Sequence, residues 1–143
     1  MRPDDSTRQR ICCDWLSKAA ADLALAEHLL PDAPRFANAI AFHCQQAAEK
    51  YLKALLTWRK ADFPKTHDLD KLLDLVQPTD AALAERLRRV IALTPYGVEL
   101  RYPADRSDVG VDEAHQSVAL AQEVQESVLR ALPPGLRQRD SLA

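Results

Sequence analysis

Apolar residues recur every three or four positions through most of the chain, which is the spacing of one face of an α-helix. The first such segment begins after Pro3, has N-cap candidates in Asp4, Asp5 and Ser6, and stops at Pro31. Its apolar stripe consists of Ile11, Trp15, Ala19, Leu23, Ala26 and Leu30. The pattern predicts one long helix that buries a single face.

A second long helix is predicted over residues 36–60, and Pro64 ends the segment. Its apolar stripe consists of Ile40, Cys44, Ala47, Tyr51, Leu55 and Trp58. Because Cys44 lies on this stripe, we expect its thiol to fill space in the core.

Two shorter helices are predicted next, and prolines separate them. Thr66 is expected to cap the third helix, whose apolar face is Leu69, Leu72, Leu73 and Val76, and Pro78 closes it. Thr79 or Asp80 can cap the fourth helix, which carries Leu83, Leu87, Val90 and Ile91.

Residues 94–110 read TPYGVELRYPADRSDVG, and their prolines and glycines break every period. We therefore predict a long loop, a kind of segment that often carries function. Asp112 can cap the last helix, and residues 133–135 end it. Its apolar stripe consists of Ala114, Val118, Ala121, Val124, Val128 and Leu132.

These segments predict an all-α fold, an antiparallel up-and-down bundle of four to five helices, since nothing alternates as a strand would. The helical domain is expected over residues 1–132, and residues 133–143 are expected to form a disordered tail. Ten residues are predicted to be mainly buried: Ile11, Trp15, Leu23, Ile40, Tyr51, Leu55, Leu72, Leu87, Val118 and Val128.

Composition narrows the classes of function. A chain of 143 residues predicts one domain, and a net charge of -2 gives no general attraction to nucleic acid or anionic lipid. The 3 cysteines lack a C-x-x-C spacing and favour a reducing compartment. The N-terminus lacks the pattern of a signal peptide and no apolar run could span a bilayer, so we expect a cytoplasmic protein without membrane contact.

Three separated stretches carry a family resemblance. They are DWLSKAAADLALAEHLL at residues 14–30, FHCQQAAEKYLKALL at residues 42–56, and the pair THDLDKLL at 66–73 with RYP at 101–103. In this order and spacing the chain resembles the HEPN domain (higher eukaryotes and prokaryotes nucleotide-binding domain) up to about Leu132. The second stretch is the most specific of the three.

The resemblance implies a four- to five-helix bundle that is usually a homodimer. It also implies a minimal nucleotidyltransferase as partner, often in a toxin–antitoxin couple, and a nucleotide or RNA as ligand. Some members of the family are metal-independent RNases that carry Arg, four to six residues, then His. In that chemistry the His moves a proton and the Arg stabilises the charge on the phosphorane.

This chain departs from the RNase pattern. After Arg101 the three permitted histidine positions hold Arg106, Ser107 and Asp108, and His115 comes too late. We therefore assign no catalytic residue and expect weak or absent RNase activity. The first interpretation is a binding module paired with a nucleotidyltransferase. An RNase toxin with a rearranged Arg/His site and a purely structural dimeric adaptor are the alternatives.

The second helix and the long loop supply candidate phosphate ligands. On that helix the basic positions share one polar stripe, and His67 is expected in the first turn of the third helix, where free N–H groups can hold an anion. Arg101 offers a guanidinium for phosphate and Tyr102 a ring for a base. We predict one phosphate-accepting cleft lined by His43, Lys50, Lys53, His67, Arg101 and Tyr102.

Simpler interpretations of the same residues stay open. The basic stripe can be a solvated helix flank, His67 an exposed residue beside a cap, and the Arg-Tyr pair an anchor for the loop. Asp105 and Asp108 could also neutralise the cations internally. No cofactor or metal is expected, because ligand pairs at helical spacing, a Walker loop, a dinucleotide fingerprint and a G-x-S-x-G elbow are missing from the sequence.

Overall fold

The computed structural model describes residues 4–97 and 108–136, and every regular element in those residues is a helix. The elements are α1 (Asp5–Leu29), a 3₁₀ turn (Leu30–Asp32), α2 (Ala33–Trp58), α3 (Leu69–Val76), α4 (Ala81–Arg86), a 3₁₀ segment (Arg88–Gly97) and α5 (Val111–Ala131). The predicted all-α bundle is confirmed. Among the described helices, none combines the length and the apolarity that crossing a bilayer requires.

Hydrogen bonds between the long helices and their flanking residues show how these helices run. The Cys12 thiol near the start of α1 lies 3.4 Å from the carbonyl oxygen of Ala54 near the end of α2, so these two helices are antiparallel. Near the start of α5, the Val109 amide donates to Asn38 on α2, and further along both helices Gln125 donates to Tyr51. Helix α5 therefore runs parallel to α2. The short elements between them return the chain to the end of the bundle at which α2 begins.

Helix α2 lies at the centre of the bundle. Its predicted apolar stripe is buried except for half-buried Trp58, but α1, α3, the 3₁₀ segment and α5 all pack against α2 and bury further faces as well. The additional buried apolar residues are Ala33, Ala37, Ala41, Ala48, Leu52, Ala54 and Leu56. Several of them are alanines, whose small side chains allow neighbouring backbones to come close. The helix is kinked at Phe36 (φ −119°, ψ 17°), the residue at which the sequence pattern began.

The start of α1 differs from the prediction. Ile11 and Trp15 are only half-buried, and the neighbouring Cys12 and Leu16 point into the core instead. Trp15 packs edge-to-face against Phe63, which follows α2, with 6.4 Å between ring centroids. Trp15 also lines a cavity at this end of the bundle, which is why it is not fully buried. The remaining eight of the ten residues predicted to be mainly buried are buried.

The fourth helix is shorter than predicted and continues as a 3₁₀ segment. Leu87, Val90 and Leu93 are buried at intervals of three, which is the length of one 3₁₀ turn. Ile91, predicted on the apolar face of an α-helix, is therefore turned outward and is 40% exposed. Residues 94–97 of the predicted loop belong to the 3₁₀ segment, and residues 98–107 lie outside the described residues.

Two of the predicted helix caps are wrong. Asp68 caps α3 by accepting from the amide of Asp70, and Thr66 instead accepts from the amide of Asp68. Gly110 precedes α5, and its amide donates to the carboxylate of Glu113. The predicted caps Asp4 on α1 and Asp80 on α4 are confirmed.

Helix α5 follows its predicted pattern throughout. All six residues of its apolar stripe are buried. Leu136 is also buried, so the core extends four residues beyond the expected domain end at residue 132. Residues 137–143 of the predicted tail lie outside the described residues.

Candidate functional site

A buried carboxylate lies on the central helix at Glu49, which is 3% exposed. One of its oxygens accepts from Lys53 Nζ at 3.0 Å, one turn further along α2. The other oxygen contacts His67 Nδ1 at 2.7 Å and accepts from the Gln45 amide at 3.3 Å. A buried charge is costly unless it is paired and hydrogen bonded, and Glu49 meets both conditions.

A second carboxylate, Asp22 on α1, has the same kinds of partners. Its Oδ1 contacts His43 Nδ1 at 2.9 Å, and its Oδ2 accepts from Lys50 Nζ at 2.5 Å. Both partners lie on α2, so this cluster joins the first two helices along the edge of their contact. Asp22 is less enclosed than Glu49, with 14% of its side chain exposed.

The two clusters share one arrangement, a carboxylate between a histidine and a lysine. An ionised carboxylate only accepts hydrogen bonds, so we assign the donor proton in each pair to Nδ1 of the histidine. The Nε2 of a neutral ring is then an acceptor, and in a protonated ring it becomes a donor. Each cluster therefore has zero net charge with a neutral histidine and one positive charge with a protonated histidine.

The side chains of the two clusters differ in how exposed they are to solvent and so to a ligand. The His67 side chain is 56% exposed, whereas those of His43 and Lys50 are 26% and 21% exposed. The Lys53 side chain is 8% exposed and lies 5.4 Å above the ring of Trp15. Lys53 therefore acts inside the bundle, where its ammonium group neutralises Glu49.

His67 is not in the first turn of α3, as the sequence suggested, because Asp68 caps that helix and His67 precedes it. Its position is set by α2 instead. The backbone carbonyl of His67 accepts from Gln45 at 3.0 Å while its ring contacts Glu49. The sequence places His67 among the free N–H groups of a helix start, whereas in the structure its ring is held against a carboxylate.

Both described ends of the segment between the 3₁₀ segment and α5 contact α2. At Gly97, an added β-carbon would come within 2.6 Å of the side-chain amide of Gln45. On the other side, the Asp108 carboxylate accepts from Asn38 at 3.2 Å, and the next amide donates to the same asparagine at 2.8 Å. Asp108 therefore bonds an amide rather than the basic stripe.

The structure thus divides the predicted site. His43 and Lys50 lie together on Asp22, and Lys53 and His67 lie together on Glu49. Arg101 and Tyr102 lie outside the described residues, as does Asp105.

Sequence reasoning missed Asp22, Gln45 and Glu49. The spacing of Glu49 and Lys53 is that of a helical ion pair and could have revealed one contact. Nothing in the sequence indicated Asp22, because its partners lie on another helix.

The cysteines are poor nucleophiles in this fold. Burial raises the pKa of both Cys12 and Cys44 to about 12, so almost no thiolate forms near neutral pH. Cys44 is completely buried in the core, as predicted. In the part of the chain that the structure describes, no group of three or more histidine, cysteine or acidic residues could hold a metal ion.

The buried pair of Glu49 and Lys53 leads to a stability prediction. We expect Glu49→Gln to lower the free energy of unfolding by about 3 kcal/mol, because it leaves the buried Lys53 ammonium without a countercharge. Urea unfolding measures this change. Glu126→Gln is the matched control, since its ion pair with Arg130 is mostly exposed and contributes about 0–0.5 kcal/mol. Equal effects of the two substitutions would contradict the role given to Glu49.

Comparison with known proteins places this arrangement in a family. A profile of the HEPN domain matches residues 13–131, a range that begins in α1 and ends at the last residue of α5. No curated protein and no solved structure matches the chain. The matched range includes both carboxylate clusters and the segment that carries the RYP sequence. The chain belongs to the HEPN domain family.

Proposed function

We propose that this chain is a nucleotide- or RNA-binding HEPN module that acts with a minimal nucleotidyltransferase. Membership of the family indicates a function related to nucleotides or RNA. The observation that carries the proposal is the pair of carboxylate-held histidines, His43 on α2 and His67 beside it. Each histidine can present a donor to phosphate when protonated, and a positive charge appears with it.

The proposed ligand contacts are His43 and Lys50 of the Asp22 cluster and His67 of the Glu49 cluster. A phosphate there would accept from groups that are already oriented by Asp22 and Glu49, so little side-chain freedom is lost on binding. Lys53 belongs to the site only as the residue that balances the charge of Glu49. Because Lys53 is buried, the proposal includes no direct contact between Lys53 and the ligand.

Arg101 and Tyr102 are included in the proposal on the basis of the sequence alone. They lie between Gly97 and Asp108, whose contacts are both on α2 and on the same half of that helix as His43. The guanidinium would bind phosphate and the phenol ring would stack on a base.

Ligand binding tests this site directly. We expect Lys50→Ala and Arg101→Ala each to weaken binding of ATP, GTP or a short single-stranded RNA by roughly ten- to a hundredfold, the effect of one charge-assisted contact of about 1.5–3 kcal/mol. Binding of the RNA should also weaken as salt rises, because phosphate contacts release counterions. Calorimetric titrations at two salt concentrations measure both effects.

The matched control for that experiment is Lys71→Ala. Lys71 is an exposed lysine on α3, so its loss changes the net charge as much as Lys50→Ala does. Unchanged affinity in Lys71→Ala together with a loss in the other two variants supports the site. Equal affinities in all four proteins would remove it.

The proposed assembly has two parts, a homodimer of this chain and a complex with the nucleotidyltransferase. The family resemblance suggests both, and the alanine-rich faces of the long helices favour a dimer because they give a single copy less apolar area to bury. We expect light scattering of the purified protein to give twice the chain mass. A monomer at high protein concentration would contradict the dimer.

RNA cleavage is the second candidate function, and the histidine geometry favours it. A histidine whose Nδ1 is held by a carboxylate is oriented to move protons at Nε2, as general acid–base catalysis needs. His67 fits this description better than His43 because its ring is more exposed. The family's Arg-to-His spacing is absent from the sequence, so the partner that would stabilise the phosphorane is not identified.

We expect incubation with tRNA or single-stranded RNA without metal to give weak or no cleavage. His43→Ala, His67→Ala and His115→Ala are assayed beside the wild type, and His115 is the control because it is exposed on α5 and belongs to neither carboxylate cluster. Strong cleavage that is lost in His67→Ala and kept in His115→Ala would make RNA cleavage the function of this chain.

A further inference from the structure

A half-buried side-chain amide lies beside the Asp22 cluster, at Gln46 on α2. Gln46 comes three residues after His43 and four residues before Lys50. Residues at these spacings are neighbours on the surface of a helix. Gln46 is therefore next to two of the proposed ligand contacts, although the proposed function gives it no role.

A chain of hydrogen bonds fixes the orientation of this amide. The backbone carbonyl of His67 can only accept, so the Gln45 atom 3.0 Å from it is the amide nitrogen, Nε2. The same nitrogen donates to the Glu49 carboxylate at 3.3 Å. The Gln45 oxygen is then the acceptor toward Gln46, and the Gln46 atom 2.7 Å from that oxygen must be Nε2.

This orientation leaves the Gln46 oxygen, Oε1, without a partner in the protein. It makes no hydrogen bond to any of the described residues. It is also accessible to solvent, because Arg8 Nε is the one buried side-chain nitrogen or oxygen that lacks a partner in that part of the chain. Gln46 therefore presents an acceptor to any molecule that binds beside it.

The neighbours of this oxygen on the helix are donors. Lys50 carries only donors, and His43 donates from Nδ1 to Asp22 and, when protonated, from Nε2 as well. Such groups suit the ionised oxygens of a phosphate, which accept hydrogen bonds. Phosphate oxygens cannot pair with Gln46 Oε1, since both are acceptors. The oxygen calls for a part of the ligand that carries an O–H or N–H donor.

We propose that Gln46 accepts a hydrogen bond from the nucleoside part of the ligand and so makes the site favour nucleotides over free polyphosphate. This inference rests on the proposed function, in which His43 and Lys50 hold the phosphate. In a nucleotide the donor can come from a ribose hydroxyl or from an N–H group of the base. Both sources offer the same chemistry to the amide oxygen.

Calorimetric titrations of the full chain with ATP, 2′-deoxyATP and inorganic tripolyphosphate test this role. Gln46→Met keeps the length of the side chain and removes the amide. We expect it to weaken ATP binding roughly three- to tenfold, the effect of one hydrogen bond between neutral groups, and to leave the affinity for tripolyphosphate unchanged. A side chain that only supported the fold would not change the ratio of the two affinities.

The deoxynucleotide identifies the donor. If 2′-deoxyATP binds the wild type as weakly as ATP binds Gln46→Met, the donor is the ribose 2′-hydroxyl. If it binds the wild type as tightly as ATP does and loses affinity equally in Gln46→Met, the donor lies elsewhere in the nucleoside. Gln46→Ala should give the same pattern, because alanine is a good helix former, and it serves where Gln46→Met does not fold.

Two control variants separate this inference from the proposed function. Gln116→Met removes an exposed amide on α5 and should bind all three compounds as the wild type does. Lys50→Ala should weaken ATP and tripolyphosphate alike, because it removes a phosphate contact. If Gln46→Met changes those two affinities equally, or changes neither, while Lys50→Ala weakens both, the inference is wrong and the proposed function stands. A wild type that binds none of the three compounds would overturn both.

Discussion

The enclosure of α2 is the constraint on which the rest of this fold depends. Neighbours pack against it from several sides, so any polar group on those faces has to find its partner inside the protein. Glu49 does this by bonding to three side chains, one of which comes from the segment before α3. The same carboxylate that must be neutralised for stability therefore also holds a histidine at the surface. The Glu49 carboxylate therefore contributes both to the stability of the bundle and to the candidate site.

Much of the fold could be predicted from spacing alone, and α5 shows why. That helix buries one face, so its apolar residues repeat with the helical period and each one is where the pattern places it. Helix α2 is different, because a helix that is buried on several sides shows no single stripe. A pattern that assumes one buried face assigns Glu49 and Lys53 to solvent. The 3₁₀ segment was missed for a related reason, since a repeat of three resembles an imperfect repeat of three and four.

Only the histidines and lysines of the candidate site could be predicted from the sequence. Histidines and lysines stand out in the most specific stretch of sequence, and their positions along α2 follow from the helix. The acids that hold them come from other turns or other helices, so their roles depend on packing. Trp15 illustrates the same limit. Its spacing predicts a core position, but the side chain is half-buried and lines a cavity where the sequence predicts close packing.

Gly97 has a consequence for how this sequence can vary. Its backbone does not need a left-handed conformation, so the residue is required for space. The Gln45 amide that occupies this space ends a flexible side chain, but three hydrogen bonds hold it, to Glu49, to Gln46 and to the backbone of His67. A β-carbon at position 97 would break those bonds unless position 45 became smaller. The two positions are therefore expected to covary among proteins that keep this packing, with glycine retained wherever the glutamine is retained.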